Sequence, residues 1–391
     1  MSERTIAQSR SSIKLVFLVH ALATGSMFTR IPDIQLGLGL DEGTLGAVMI
    51  GQPVGAILMF LFASRIVERV GTRWLLVAGL PLLAMGVLAM ALAPSPAALF
   101  LAFFGFSALF AITNVSMNVE ADRVEAATGK RLMNTCHGLW SIGQLVAVSL
   151  GAAARGMAIP PTLHFGLFVP LTLLAALLVV LPMREAKPRA HSRTTRRTLI
   201  AVPTVATLTL VGFMMAGALI EAASRNWSVI YMRDSFAAPD WVDTLTLPAF
   251  IGATAFGRLL ADSLIGRFGP VRVARVLASV SLVGLVVIVT APVLEVALTG
   301  FLLVGIGVCV SFPLTTSAAA RLGDRPSSEN VAALTMTMQT ALLGAPALLG
   351  AVAENFGIRT TYAIIVPMVL LSIWLARYLA PRAAAMDVPA K

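Results

Sequence analysis

The chain has 391 residues, 58% hydrophobic and 12% charged, with a formal net charge of +10. Its mean hydropathy is +0.87. Soluble domains carry roughly a quarter charged residues, so a water-exposed globule of this length is excluded. The basic excess has a simpler origin than nucleic acid, which is its distribution between apolar runs.

Apolar runs of about 20 residues, the length that crosses a bilayer, predict twelve spans. In chain order they cover 13–31, 42–64, 74–93, 97–120, 132–155, 164–182, 199–232, 242–265, 273–291, 295–317, 331–354 and 361–380. Pro94-Ser95-Pro96, Pro160-Pro161, Ala291-Pro292 and Gly357 punctuate them. The runs are continuous rather than alternating, which predicts helices and not a barrel. The polar start through Lys14 gives no expectation of a cleavable signal peptide. Cys136 and Cys309 fall inside spans and read as small core residues, with no disulfide framework or metal spacing.

Two short basic loops match each other. Residues 64–73 read S-R-I-V-E-R-V-G-T-R and 262–272 read D-S-L-I-G-R-F-G-P-V-R, aligned on Gly71 and Gly269 half a chain length apart. A loop repeated at that distance predicts two similar halves with a working site between them. With the N-terminus placed in the cytoplasm, 23 of 29 Lys and Arg fall on the cytoplasmic side. Both termini are therefore expected there, in a bacterial-type inner membrane. The longest polar break, with six basic residues and one acid, reads as a linker at 183–198 lying along anionic lipid. It separates six-helix bundles at 1–182 and 199–391.

Twelve spans, a central basic linker and twin loops after spans two and eight resemble the major facilitator superfamily. Its loop runs roughly G-x-x-x-D-R-x-G-R-R; here Ser64 and Glu68 stand in the first copy, and Asp262 and Gly266 in the second. A closer resemblance is to the YbjJ-like branch, distantly related to fucose permease. It rests on Arg30-Ile31-Pro32-Asp33-Ile34, Met117-Asn118-Val119-Glu120-Ala121, His137-Gly138-Leu139-Trp140, Glu221 through Trp227, Gly257-Arg258 and Gly344-Ala345-Pro346 with Gly350. The resemblance implies an all-α integral membrane fold of two pseudo-symmetric bundles that rock about a central site. It also implies acidic residues where this chain has Asn114 and Asn226.

Ionisable groups inside spans cost about 2.5–3.5 kcal/mol each on insertion scales, so they face a cavity or a partner. Glu221 and Arg225 share a face of span seven and read either as a self-neutralising pair or, with Arg30 of span one opposite Glu221, as a coupling or outer-gate set. Trp227 either caps a substrate or, with Tyr231, sits in the interfacial aromatic belt. His20, with Thr24 one turn on, reads as a substrate or proton site or as a neutral core histidine. Asn114, Asn118 and Gln339 offer amides to a hydroxyl-rich solute, or bridge helices. Glu68, Arg69, Arg73, Arg258 and Asp262 form the expected inner gate.

No phosphate loop, metal spacing or catalytic triad is present, so no cofactor and no enzymatic activity is expected. The expected function is proton-linked transport of a small polar organic solute, a sugar or cyclitol among the candidates, by a monomer whose other partners are membrane lipids. Efflux of amphiphilic compounds is the alternative, since 17 Met and 19 Phe suit adaptable apolar pockets.

Overall fold

The computed structural model describes residues 3–129, 132–183, 185–186, 202–236, 239–325 and 327–380. Most of the expected 183–198 linker lies outside the described residues. Twelve helices are long and apolar enough to cross a membrane. They are α1 (Ser9–Leu38), α2 (Glu42–Val70), α3 (Thr72–Ala91), α4 (Pro96–Thr128), α5 (Thr135–Gly156), α6 (Pro161–Val180), α7 (Val205–Ser235), α8 (Asp240–Phe268), α9 (Pro270–Thr290), α10 (Leu294–Ala320), α11 (Glu329–Phe356) and α12 (Ile358–Leu379). Large apolar side chains on their outer faces stay uncovered, Leu259 at 81% and Leu101 at 65% exposure. Lipid, not water, is the solvent such a surface suits.

The helix α1, expected to stop at residue 31, runs on to Leu38. The chain narrows to a 3-10 turn at Ser26–Arg30 and then resumes as helix over Ile31–Leu38. Pro32 sits in the first turn of that second piece, where a missing N–H costs nothing. The helix ends at Gly39 in the left-handed conformation. Arg30 is no terminus marker because it is buried and fully partnered, as described below. Asp41 then caps α2, its Oδ1 accepting from the Thr44 backbone N–H at 2.7 Å.

Contacts divide the chain into two compact units that cut across the sequence halves. The first comprises Met1–Thr195, Arg225–Ile251 and Leu343–Ile358. In it α1 packs along α5 and α4, α4 also packs on α2 and α3, and α3 packs on α6. Residues 240–243 pack on α5, and 345–356 on the start of α2. Its buried core includes Phe17, Leu76, Leu80, Met117 and Val180.

The second unit comprises Arg196–Ser224, Gly252–Leu342 and Arg359–Lys391. There α9 packs on α10 and α12, repeating the packing of α3 on α4 and α6. Leu210, Leu277, Leu314, Met338 and Leu375 lie in its core.

The twin loops share one backbone conformation. Gly71 has φ 87°, ψ 149°, and Gly269 has φ 79°, ψ 157°, each directly preceding a helix. Only glycine adopts that region without strain of about 1–3 kcal/mol. A Cβ on Gly269 would meet nothing within 4 Å, whereas one on Gly71 would lie 2.7 Å from Glu185 Oε1. Gly269→Ala is therefore expected to lower thermal stability in detergent by the strain alone, about 1–3 kcal/mol, and Gly71→Ala by more. A wild-type unfolding midpoint for Gly269→Ala would remove the strain argument.

Candidate functional site

Three polar assemblies lie within the first unit. One is at mid-span. His20 is fully buried and touches Phe110 with its ring, centroids 4.9 Å apart. Trp140 Nε1 donates to His20 Nδ1 at 3.3 Å, so the proton of a neutral ring sits on Nε2. That nitrogen lies 3.1 Å from Thr113 Oγ1. Thr113 directs its own hydroxyl proton to the Leu109 carbonyl at 2.7 Å and therefore accepts from the histidine. The pattern fixes a neutral tautomer, because a second ring proton would face the Trp140 donor. Of the two readings of His20, the hydrogen-bonded core histidine is the one the geometry fits. Thr24 is likewise enclosed; it donates to the His20 carbonyl and accepts from Gln144 at 3.3 Å.

One turn toward the loop of Gly71, the polar groups become accessible. Asn118 Nδ2 donates to the Asn114 carbonyl at 2.8 Å and lies 3.3 Å from Asn114 Oδ1. His137 Nε2 lies 3.1 Å from Asn118 Oδ1, and since that oxygen can only accept, the histidine donates. The two asparagines are half-buried and His137 is exposed. This ladder of donors and acceptors on α4 and α5 can exchange its outer hydrogen bonds for those of a neutral polar solute.

The second assembly anchors the first twin loop. Glu120, fully buried, accepts from Thr72 Oγ1 at 2.6 Å and from the Ala186 backbone N–H at 2.9 Å. Glu185 accepts from the Arg73 backbone N–H at 2.7 Å. The loop's own charged residues play a smaller part. Glu68 and Arg69 are exposed, and the Arg73 guanidinium lies over the Trp74 ring at 5.2 Å. In the second unit Arg258 reaches the Cys309 carbonyl at 3.4 Å, while Asp262 is exposed. No ion pair joins Arg258 to Asp262 among the described residues.

The third assembly, at the opposite end of the first unit, is a buried charge cluster. Arg30 gives Nη1 to Asp33 Oδ2 at 2.8 Å, Nη2 to the Ile159 carbonyl at 3.0 Å and Nε to His164 Nδ1 at 3.3 Å. Arg155 gives Nε to Asp33 Oδ1 at 2.9 Å and Nη1 to the Asp240 carbonyl at 2.9 Å. The same Nη1 lies 3.9 Å from Asp243 Oδ2. Side-chain exposures are 4% for Arg155 and 2% for Asp243. Asp243 Oδ1 is buried without a hydrogen-bond partner among the described residues. Beside it, Arg233 donates to Gln35 Oε1 at 3.2 Å and to Asp234 at 2.6 Å, and lies 3.9 Å from Glu42. Asp33 thus bridges two arginines, and Arg155 ties α1 to the start of α8.

The remaining expected residues fall as follows. All three Arg30 nitrogens have partners within α1 and the α5–α6 end, so Asp33 and His164 take the place expected for Glu221. Arg225 stacks over Phe28 at 5.7 Å. Glu221 is half-buried in α7 and Gln339 half-buried in α11. Trp227 and Tyr231 are 0% exposed, which corrects the interfacial-belt reading. A Cβ on Gly350 would meet the Trp227 ring at 3.2 Å, so the indole packs in the core. Arg155, Asp243, Glu120 and His164 had no assigned role. Each is a charged or titratable group at the end of an apolar run, a signal that favours burial only once a partner is known. Among the described residues no His, Cys, Asp and Glu group is arranged to hold a metal ion.

The sequence profile of the Major Facilitator Superfamily matches residues 14–345. A Sinorhizobium fredii protein named "Uncharacterized transporter y4wD" is 26% identical over 351 residues, covering 89% of this chain and 92% of its own. The crystal structure of the nucleoside transporter NupG aligns with a TM-score of 0.73 at 14% identity, over 95% of this chain and 98% of that one. That of a D-xylose-proton symporter aligns with a TM-score of 0.73 at 13% identity, over 96% and 97%. At these identities the two structures establish the fold.

Proposed function

Because the chain belongs to the Major Facilitator Superfamily, we propose that it moves a small, multiply hydroxylated solute across the membrane by alternating access, with proton coupling. The observation that carries this reading is the accessible Asn114–Asn118–His137 ladder, which presents neutral donors and acceptors and no fixed charge. Neutral amides and imidazole suit hydroxyl groups, which need both kinds of partner. The cargoes named for NupG and for the xylose symporter are themselves multiply hydroxylated. Enclosed His20 and Thr24 form the wall behind the ladder rather than the contact surface.

Within this reading the chain is a monomer of the YbjJ-like branch, with bundles at 1–182 and 199–391. Both termini and the twin loops face the cytoplasm of a bacterial-type cell. The Arg30–Asp33–Arg155–Asp243 cluster then closes the outer end, and the Glu120-anchored loop braces the inner one. Glu221, a carboxylate at mid-α7, is the proposed proton acceptor.

Purified protein in liposomes, offered labelled nucleosides, pentoses and cyclitols under an imposed proton gradient, tests the proposal. One of these solutes should accumulate, and Asn118→Ala with His137→Ala should reduce uptake by about tenfold, the loss of roughly one net hydrogen bond. Glu221→Gln should retain solute exchange and lose accumulation driven by the gradient. Uptake indifferent to the gradient would remove the coupling, and full uptake by the double variant would remove the ladder as the site.

A further inference from the structure

A cavity of about 460 Å³ opens in the second unit, at the end of the helices that carries the twin loop of Gly269. This is within the range of about 300–1,000 Å³ usual for small-ligand sites. Val205 and Thr209 of the first turns of α7 form one wall, Arg321 just after α10 another, and Arg377 and Tyr378 at the end of α12 a third. Among the described residues no acidic one lines it. Neither arginine is in an ion pair among the described residues, so within these the cavity presents two guanidiniums with no acidic partner. Arg377 is held ready for a ligand: its Cζ lies 3.8 Å from the Trp374 ring centroid, and Nη2 donates to Tyr378 Oη at 3.1 Å.

The surroundings select the kind of anion. Val205 is 82% exposed, Trp374 54% and Tyr378 49%. Trp and Tyr at a helix end mark the depth of lipid headgroups. A cationic cavity at that depth, rimmed by uncovered apolar surface, matches a molecule with a phosphate head and apolar tails. Planar guanidiniums bind phosphate oxygens bidentately, which suits a phosphodiester better than a point charge would.

We propose that this cavity binds the phosphate of an anionic phospholipid between Arg321 and Arg377, with the acyl chains lying along α7 and α12. The site is separate from the solute ladder on α4 and α5 and does not depend on what the protein transports. The test uses delipidated full-length protein in neutral detergent, titrated with mixed micelles containing phosphatidylglycerol or phosphatidylcholine, or with inorganic phosphate, and read by native mass spectrometry and thermal shift. Phosphatidylglycerol should bind at least about tenfold more tightly than phosphatidylcholine, and Arg321→Gln with Arg377→Gln should erase the difference. Arg377→Lys keeps the charge and loses the stacked fork, so it should fall between the two; this variant also guards against misfolding of the double one. Equal binding of the two lipids would overturn the proposal. So would a larger shift with inorganic phosphate than with phosphatidylglycerol at equal concentration, or wild-type preference in the double variant.

Discussion

Arg155→Gln is expected to be among the most damaging single substitutions in the first unit. The guanidinium is 4% exposed and holds Asp33 at 2.9 Å, the Asp240 carbonyl at 2.9 Å and Asp243 at 3.9 Å. Its removal leaves the Asp243 carboxylate, already short of one partner, without the cation that lies 3.9 Å from it. Breaking a buried ion pair from one side costs about 3–5 kcal/mol, because a buried charge is stranded. Asp33 is protected, since Arg30 still holds it at 2.8 Å. Asp243→Asn needs no cation, so the Arg155→Gln, Asp243→Asn double variant should recover part of the loss. Thermal unfolding in a double-mutant cycle should give a coupling of about 0.5–3 kcal/mol; strict additivity would show that the two residues do not act as a pair.

Gly46→Leu is the second large effect. A Cβ on Gly46 would lie 2.5 Å from the Pro346 carbonyl and 3.0 Å from Gly350 Cα. Gly350 returns the contact, its Cβ position lying 2.5 Å from the Glu42 carbonyl. Both obstacles are backbone, so no side chain can move aside and the two helix segments must separate. Overpacking of this sort costs about 1–3 kcal/mol. Each 1.4 kcal/mol is a tenfold change in population, so segment 343–358 should leave the first unit about tenfold or more often. Hydrogen exchange of the 343–358 peptide should accelerate accordingly, while the core peptides of α3 and α4 keep their protection. Unchanged exchange in 343–358 would mean that the glycine contact does not hold this packing.

These two contacts also show what could be read from the sequence and what could not. Twelve helices were legible because a bilayer demands about 20 apolar residues per crossing. The twin loops were legible because Gly71 and Gly269 occupy a backbone region closed to other residues. The asparagine ladder was half legible: Asn114 and Asn118 are one helical turn apart, but the His137 contact depends on how α5 packs against α4. Arg155 and Asp33 are 122 residues apart, and their pairing has no local signature. Apolar length alone ended α1 at residue 31, because a buried arginine such as Arg30 looks like a terminus until His164, Asp33 and Ile159 are seen around it. Trp227 was ambiguous for a related reason. An aromatic residue near a span end suits the interface or the core, and only the bare surface of Gly350 decides for the core.

If the Arg155 cluster closes the outer end as proposed, loss of Arg155 should let α5 and the start of α8 part. Spin labels at Met157, which is 66% exposed, and at Asp240, in a background with Cys136 and Cys309 replaced by Ala, would report the distance from α5 to the start of α8 by double electron–electron resonance. A short-distance population should dominate in the wild type and give way to a longer one in Arg155→Gln. The same distance distribution in both proteins would contradict it.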